Sequence, residues 1–379
     1  MSTVINSANF ISSHWLAWKA VGATFTEVNW LGLYGLYACI HHLAVTVGFP
    51  LHLGVKLFRN DTVTDDIMNL TIFLETFSSS LKIIIFAFKL RKVRHMEKLL
   101  KLLDARVQGW AQHNIYDELR KRLKKLIYAY IGVCAVVIMF SEISFLFQSE
   151  RKLQHPAWFP FDYTNSTYKY YIAHVYQTYG GAMQLVQNYA NACFPAVMLC
   201  IISAHIQMLY KRIEDIGMAN ESAQDSEADL EACITDHKHL LELFNTIESF
   251  ISWPMLIQFV ASALNICISI ASVVFYVTEP LQRLFFLAYA LALPLEIFPT
   301  CYYSTDIEFW FGQLHSAAFS CNWLCQPRSF KRKLMLFVER SLKQTSAKAG
   351  GMLLIHLNTF MGTLKFAYSF FNIILQLHK

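Results

Sequence analysis

Asn358, Gly362, Lys365, Ser369, Asn372 and Gln376 recur at steps of four, three, four, three and four. That spacing puts all six on one face of an α-helix. They lie in LNTFMGTLKFAYSFFNIILQLHK, residues 357–379, which is otherwise apolar and long enough to sit in a bilayer. Polar side chains at membrane depth face a bundle interior or a water-filled cavity. On spacing alone two readings stay open. The face lines a pore, which requires several such helices around an axis. Or it hydrogen-bonds to neighbouring helices of one bundle, with Gly362 permitting close approach.

Four more ionisable residues fall in apolar stretches: Glu75, Lys82, Glu142 and Glu296. Intramembrane charges point to function by default. Glu75 and Lys82 are seven apart, on one face but about two turns distant, so each is expected to pair with other helices. Glu296, beside Pro294 and Pro299, reads as a structural partner, whereas Glu142 would favour an amine ligand. An enzyme is poorly supported. There is no HExxH, and Asp236, His237 and His239 in TDHKHL sit among acidic residues, as on a solvated or assembly face. The nine cysteines read as free thiols. Cys321 and Cys325 have no second pair to complete a metal site. No metal, no other cofactor and no nucleic-acid partner is expected.

The elements that must position these residues are membrane helices. Of the 379 residues, 55% are hydrophobic, 15% aromatic and only 16% charged, against about 25% charged in soluble domains. Apolar blocks occupy residues 30–55, 67–88, 126–147, 171–202, 254–277, 284–304 and 350–377. The expected fold is all-α, a single seven-helix unit over residues 1–379. Segments 89–125, 205–252 and 305–349 are expected on the cytoplasmic side, where they drive assembly, and 350–377 forms the last span. With the N-terminus inside, 23 of the Lys and Arg residues fall in inner segments and 7 in outer ones. The positive-inside rule therefore predicts a cytoplasmic N-terminus and an extracellular C-terminus, the inverse of a G-protein-coupled receptor. Sequons at Asn60 and Asn165 fall in outer loops and are expected to carry glycans.

Several stretches, in order, resemble the insect odorant receptors. HPAWFPFD (155–162) looks like that family's loop before the fourth span, and FPTCYYS (298–304) like its end of the sixth. SCNW (320–323), SFKRKLMLFVERS (329–341) and AKAGG (347–351) resemble its approach to the seventh. The resemblance implies a ligand-gated, non-selective cation channel in the plasma membrane of an olfactory neuron's ciliary dendrite. It implies a heterotetramer with the shared odorant co-receptor and a small volatile ligand. In the co-receptor the last span carries Thr-Tyr, five apolar residues and Gln. Here the run is Ser369-Phe370-Phe371-Asn372-Ile373-Ile374-Leu375-Gln376-Leu377, whose departures at Ser369, Phe370 and Asn372 identify an odour-tuning subunit instead. Carried over, the narrow pore face corresponds to Ile373, Gln376 and Leu377, with Ser369 and Asn372 in the wider vestibule.

The same resemblance puts the ligand in the outer half, among the second, third, fourth and sixth spans. Volatile ligands need mostly apolar and aromatic walls with one or two polar groups. The expected lining is Phe73, Thr76 and Phe77; Phe140, Ser141 and Ser144; Tyr176, Tyr179, Gly180 and Met183; and Phe286 and Tyr289. Gly180 and the serines would leave room and polarity, and Trp158 and Phe159 would form a lid.

Overall fold

The computed structural model describes residues 5–26, 32–59, 63–146, 153–163, 165–218, 222–277 and 280–377. A 3-10 turn at Ser7–Ile11 leads into α1 (Ser12–Ala20). The first span is α2 (Leu33–His41), a π-turn at His42–Val47, and α3 (Gly48–Lys56). Then come α4 (Val63–Asp104), α5 (Gly109–Leu146), α6 (Thr167–Glu214), α7 (Ala223–Ala271) and α8 (Pro280–Ser320). α9 (Arg328–Ser341) and α10 (Leu357–Leu377) complete the chain. The first span, α4 to α8 and α10 are the seven membrane helices.

α4 to α8 run 38 to 49 residues. At 1.5 Å per residue that is on the order of 57 Å or more, well beyond one bilayer core of about 30 Å. The excess projects at one end, which carries most of the Lys and Arg and is therefore the cytoplasmic end. There the helices share one close-packed core with α1 and α9. Phe86 stacks on Phe250 at 4.6 Å, and Trp18 meets Phe194 edge-on at 4.9 Å. All four rings are essentially buried. α1 lies outside the seven apolar blocks and yet joins this core. It does so by placing His14 and Trp18 against α6 and by hooking Ser7 to α4. The Ser7 amide and hydroxyl each donate to Asp104 at 2.7 Å.

Three expectations change in detail. The segments 89–125 and 205–252 are continuations of the membrane helices, broken only at residues 105–108 and at a turn before α7. Gly109 and Gly217 supply positive φ there, 74° in both. The last span starts at Leu357, not at 350, because Gly350 and Gly351 turn a short hairpin pairing Lys348–Ala349 with Leu353–Leu354. The acidic face of α7 is partly spent within the chain. Lys333 bonds both Glu227 and Glu231, and Asp236 accepts from Arg212 and, at 3.3 Å, from Arg106. Asp236 is buried and so is not offered to a partner, and His237 packs between Phe311 and Phe337. All nine cysteines are free thiols, as expected.

Removing Asp236 would leave the buried Arg212 guanidinium without its carboxylate. Breaking a buried pair in this way costs about 3–5 kcal/mol. Asp236→Ala should therefore abolish monodisperse receptor in size-exclusion profiles, whereas Asp229→Ala, on an exposed position of the same helix, should leave it unchanged.

Candidate ligand cavity and pore helix

The outer half is packed more loosely than the inner half. It holds only small apolar clusters and, between them, a cavity of about 190 Å³ bounded by α3, α4, α5, α6 and α8. Helical spacing on α6 presents Gln177, Gly181, Gln184 and Asn188 to it. The apolar wall includes Phe49, Ile72, Val133, Leu185, Phe285 and Leu293. Gln154 and His155 of the outer loop close the top. The loop is held there by a reciprocal pair: the His155 amide donates to Gln177 Oε1 at 3.3 Å, and Gln177 Nε2 donates to the His155 carbonyl at 2.9 Å. Burial, helped by nearby His52, lowers the His155 pKa to about 4, so the roof is uncharged at neutral pH.

The inner end of the cavity is polar. Glu296 accepts from Asn188 Nδ2 at 2.7 Å and from Gln258 Nε2 at 3.0 Å. Lys82 donates to Gln258 Oε1 and, at 3.5 Å, to Asn188 Oδ1. Lys82 and Glu296 thus meet through two amides, one on α6 and one on α7. This explains how both charges are tolerated at membrane depth. Higher up, Glu75 Oε2 accepts from Asn265 at 3.3 Å, and Asn265 also reaches the Tyr289 hydroxyl at 3.5 Å. Glu75 Oε1, Gln184 Oε1 and Asn265 Oδ1 are buried acceptors with no donor among the described residues.

Two wall residues also belong to the cluster that seats the last helix. Tyr289 and Leu293 pack with Ala367, Leu364 and Phe371 of α10 in one cluster with Ile266 and Cys267 of α7. Thr363 and Ala367 of α10 are buried in this seam. The polar face points the other way. Asn358, Gly362, Lys365, Ser369 and Gln376 are exposed and Asn372 is half-buried. Their side chains make no hydrogen bond among the described residues. An added Cβ at Gly362 would meet nothing within 4 Å. The reading of an internal helix-to-helix face is therefore excluded for this chain by itself. On a helical projection the polar residues occupy the middle of the outward arc. Met361 and Tyr368 flank them on one side, Phe366 and Phe370 on the other, all exposed. Ile373 is 52% exposed beside the stripe, and the Leu377 side chain lies outside the described residues.

Of the residues expected to line a ligand pocket, Thr76 and Tyr289 do so. The Thr76 hydroxyl is already bonded to the Ile72 carbonyl at 2.9 Å. Phe73, Phe77, Met183 and Phe286 are not on the wall; their neighbours Ile72, Ala182, Gln184 and Phe285 are. Tyr176 and Tyr179 face the first span: the Tyr176 hydroxyl donates to the Ala44 carbonyl at 2.7 Å, and Tyr179 meets His41 at 3.3 Å. Gly180 leaves no free room, because Phe49 fills it; a Cβ there would come within 2.3 Å of the ring. Trp158 and Phe159 cover His52 and Tyr176 instead of the cavity mouth. The side chains of Phe140, Ser141, Glu142 and Ser144 lie outside the described residues, as does Asn60. Asn165 is exposed, with its amide donating to Asp162 at 2.6 Å.

The family model described as 7tm odorant receptor matches residues 62–368. The chain belongs to the odorant receptor family. Odorant receptor 59a of Drosophila melanogaster is 52% identical to this receptor over 99% of both chains. Odorant receptor 23a of the same species is 31% identical over 94% of this chain and 93% of that one. The fold is that of the insect olfactory receptor OR5 from Machilis hrabei. The TM-score is 0.82 at 16% identity, over 97% of this receptor and 98% of OR5. The structure of OR5 in complex with eugenol gives 0.83 at 15% identity and the same coverage. The receptor is thus an integral membrane protein of a receptor family, not an enzyme.

Gly180 acts on the cavity through Phe49, and this can be checked. Gly180→Ala should push the Phe49 ring toward the cavity and lower odorant potency about tenfold or more, since overpacking costs roughly 1–3 kcal/mol. Surface expression should stay normal. Gly132→Ala, at an exposed position of α5 off the cavity wall, adds a methyl group that meets nothing within 4 Å and should shift dose–response curves far less.

Proposed function

We propose that this receptor is the odour-tuning subunit of a ligand-gated, non-selective cation channel, working as a heteromer with the shared odorant co-receptor. The observation that carries the reading is the outward face of α10. A helix whose outer face met lipid would place its most apolar residues at the middle of that face. α10 places Ser369, Lys365 and Gln376 there and its Phe, Tyr and Met residues at the edges. That order suits a helix wedged between neighbouring subunits with its centre line on water. Ser369 and Asn372 then belong to the vestibule, Gln376 meets permeating cations, and Ile373 with Leu377 forms an apolar constriction that closes by dewetting. The departures from the co-receptor pattern at Ser369, Phe370 and Asn372 support the tuning role.

The ligand is a small volatile organic molecule held in the cavity between Phe49, Thr76, Leu185, Phe285 and Tyr289. The similarity in fold to a receptor solved with eugenol supports this. The donorless acceptors on Glu75, Gln184 and Asn265 favour a ligand that brings a hydrogen-bond donor. Tyr289 and Leu293 provide the link to gating, since each lines the cavity and belongs to the cluster that seats α10. A ligand that displaces either ring or side chain changes the seat of the pore helix. Residence in the ciliary dendrite of olfactory neurons and glycans at Asn60 and Asn165 on the outer side complete the proposal.

Currents test it. Co-expressed with the co-receptor, Leu377→Ser should raise the current without odorant, because a wetted constriction no longer excludes ions. Gln376→Lys should reduce odour-evoked cation current at normal surface expression. Unchanged resting and evoked currents in both variants would remove α10 of this subunit from the pore.

A further inference from the structure

A second cleft lies on the cytoplasmic side, between α4, α7 and the end of α9. Its volume is about 680 Å³, and five basic side chains line it: Arg91, Lys92, His95, Lys238 and Arg340. One carboxylate is present, Glu242, and it is engaged with His95 at 2.8 Å. Lys92 donates to Ser249 Oγ at 2.7 Å. The side chains of Arg91, Lys238 and Arg340 are exposed and make no hydrogen bond or ion pair among the described residues. Three cations from three different helices therefore line one concave surface, whose one carboxylate, Glu242, is held by His95. Helix packing sets their convergence, so the mutual repulsion is a standing cost that a multivalent anion would relieve.

The position of the cleft narrows the choice of anion. Arg91 and Lys92 lie three and four residues past Phe88, where the apolar stretch ends, and the exposed Trp253 lies one turn from Ser249. Both are marks of the inner membrane surface. From Ser249 down α7 to Lys238 is eleven residues, about 16 Å. The cleft thus runs from headgroup level well into the cytoplasm. A single phosphodiester at the bilayer surface cannot reach Lys238 and Arg340. A ring carrying several phosphates can, and Arg pairs with phosphate bidentately. We propose that this cleft binds a polyphosphorylated inositol, as an inner-leaflet lipid headgroup or as the soluble polyphosphate. Occupancy would tie α4 to α7 and α9, on the same α7 that contacts the pore helix.

The test uses the purified complex of the receptor with the co-receptor. Two probes are measured: radiolabelled inositol hexakisphosphate, and nanodiscs containing phosphatidylinositol 4,5-bisphosphate against nanodiscs containing phosphatidylserine. Arg91→Ala/Lys238→Ala/Arg340→Ala should weaken binding at least about tenfold, as expected for loss of charge-assisted bonds. Lys98→Ala/Lys101→Ala/Arg332→Ala removes the same charge from exposed positions outside the cleft and should retain binding. Binding of both probes supports a site that recognises the headgroup alone. Binding of the bisphosphate nanodiscs only supports the lipid as its source. No binding by the parent complex overturns the proposal, as does equal loss in the two variants, which would mean unspecific attraction. So does a cleft variant that loses co-purification with the co-receptor while its phosphate binding is unchanged, which would make the cleft a subunit contact.

Discussion

A helix that crosses a bilayer cannot turn a line of polar side chains toward hydrocarbon. The cost of an unpaired polar group there is several kcal/mol, and more for a charge. α10 carries such a line over its full length, and its own bundle does not cover it. Thr363, Ala367 and Phe371 hold the helix against α7 and α8, and this fixes the opposite face outward. The proposed channel supplies what would cover it: other subunits and, between them, an aqueous axis.

The rest of the architecture is divided in a way that suits this requirement. The cytoplasmic half is a dense aromatic and aliphatic core, cross-tied by Asp104, Asp236 and Arg212, and it resists deformation. The outer half has a cavity, a roof held by one reciprocal amide pair and small separate clusters. Local stability follows packing density, so the outer half is where a ligand can shift the balance between conformations. The bonded group Lys82, Gln258, Asn188 and Glu296 forms the floor between the two halves. It ties the middles of α4, α6, α7 and α8 together, below Tyr289 and Leu293 on the cavity wall.

What was legible in the sequence follows from range of interaction. Hydropathy blocks, the Lys and Arg asymmetry and the stripe on α10 are local patterns, and each identified its element. The cavity wall is not a local pattern. Tyr176 and Tyr179 look like ligand-facing aromatics, but their hydroxyls bond residues of the irregular first span, Ala44 and His41. A π-turn there exposes a carbonyl that no periodicity announces. Gly180 looks like open space until Phe49, more than a hundred residues away, is packed into it. One available signal went unused: Gln177, Gln184 and Asn188, at steps of seven and four on an apolar helix, mark the polar side of α6 that faces the cavity. Trp15 and Trp18 in SSHWLAWKA likewise marked a helix with something to bury.

In the proposed channel the middle of the outward face of α10 meets water. Cysteines placed singly from Leu357 to Leu377 and probed with a charged thiol reagent during odour stimulation test this. Current should change on modification at positions 358, 362, 365, 369, 372, 373 and 376, and not at 363, 367 and 371. Uniform protection along the helix, with odour currents intact, would contradict it.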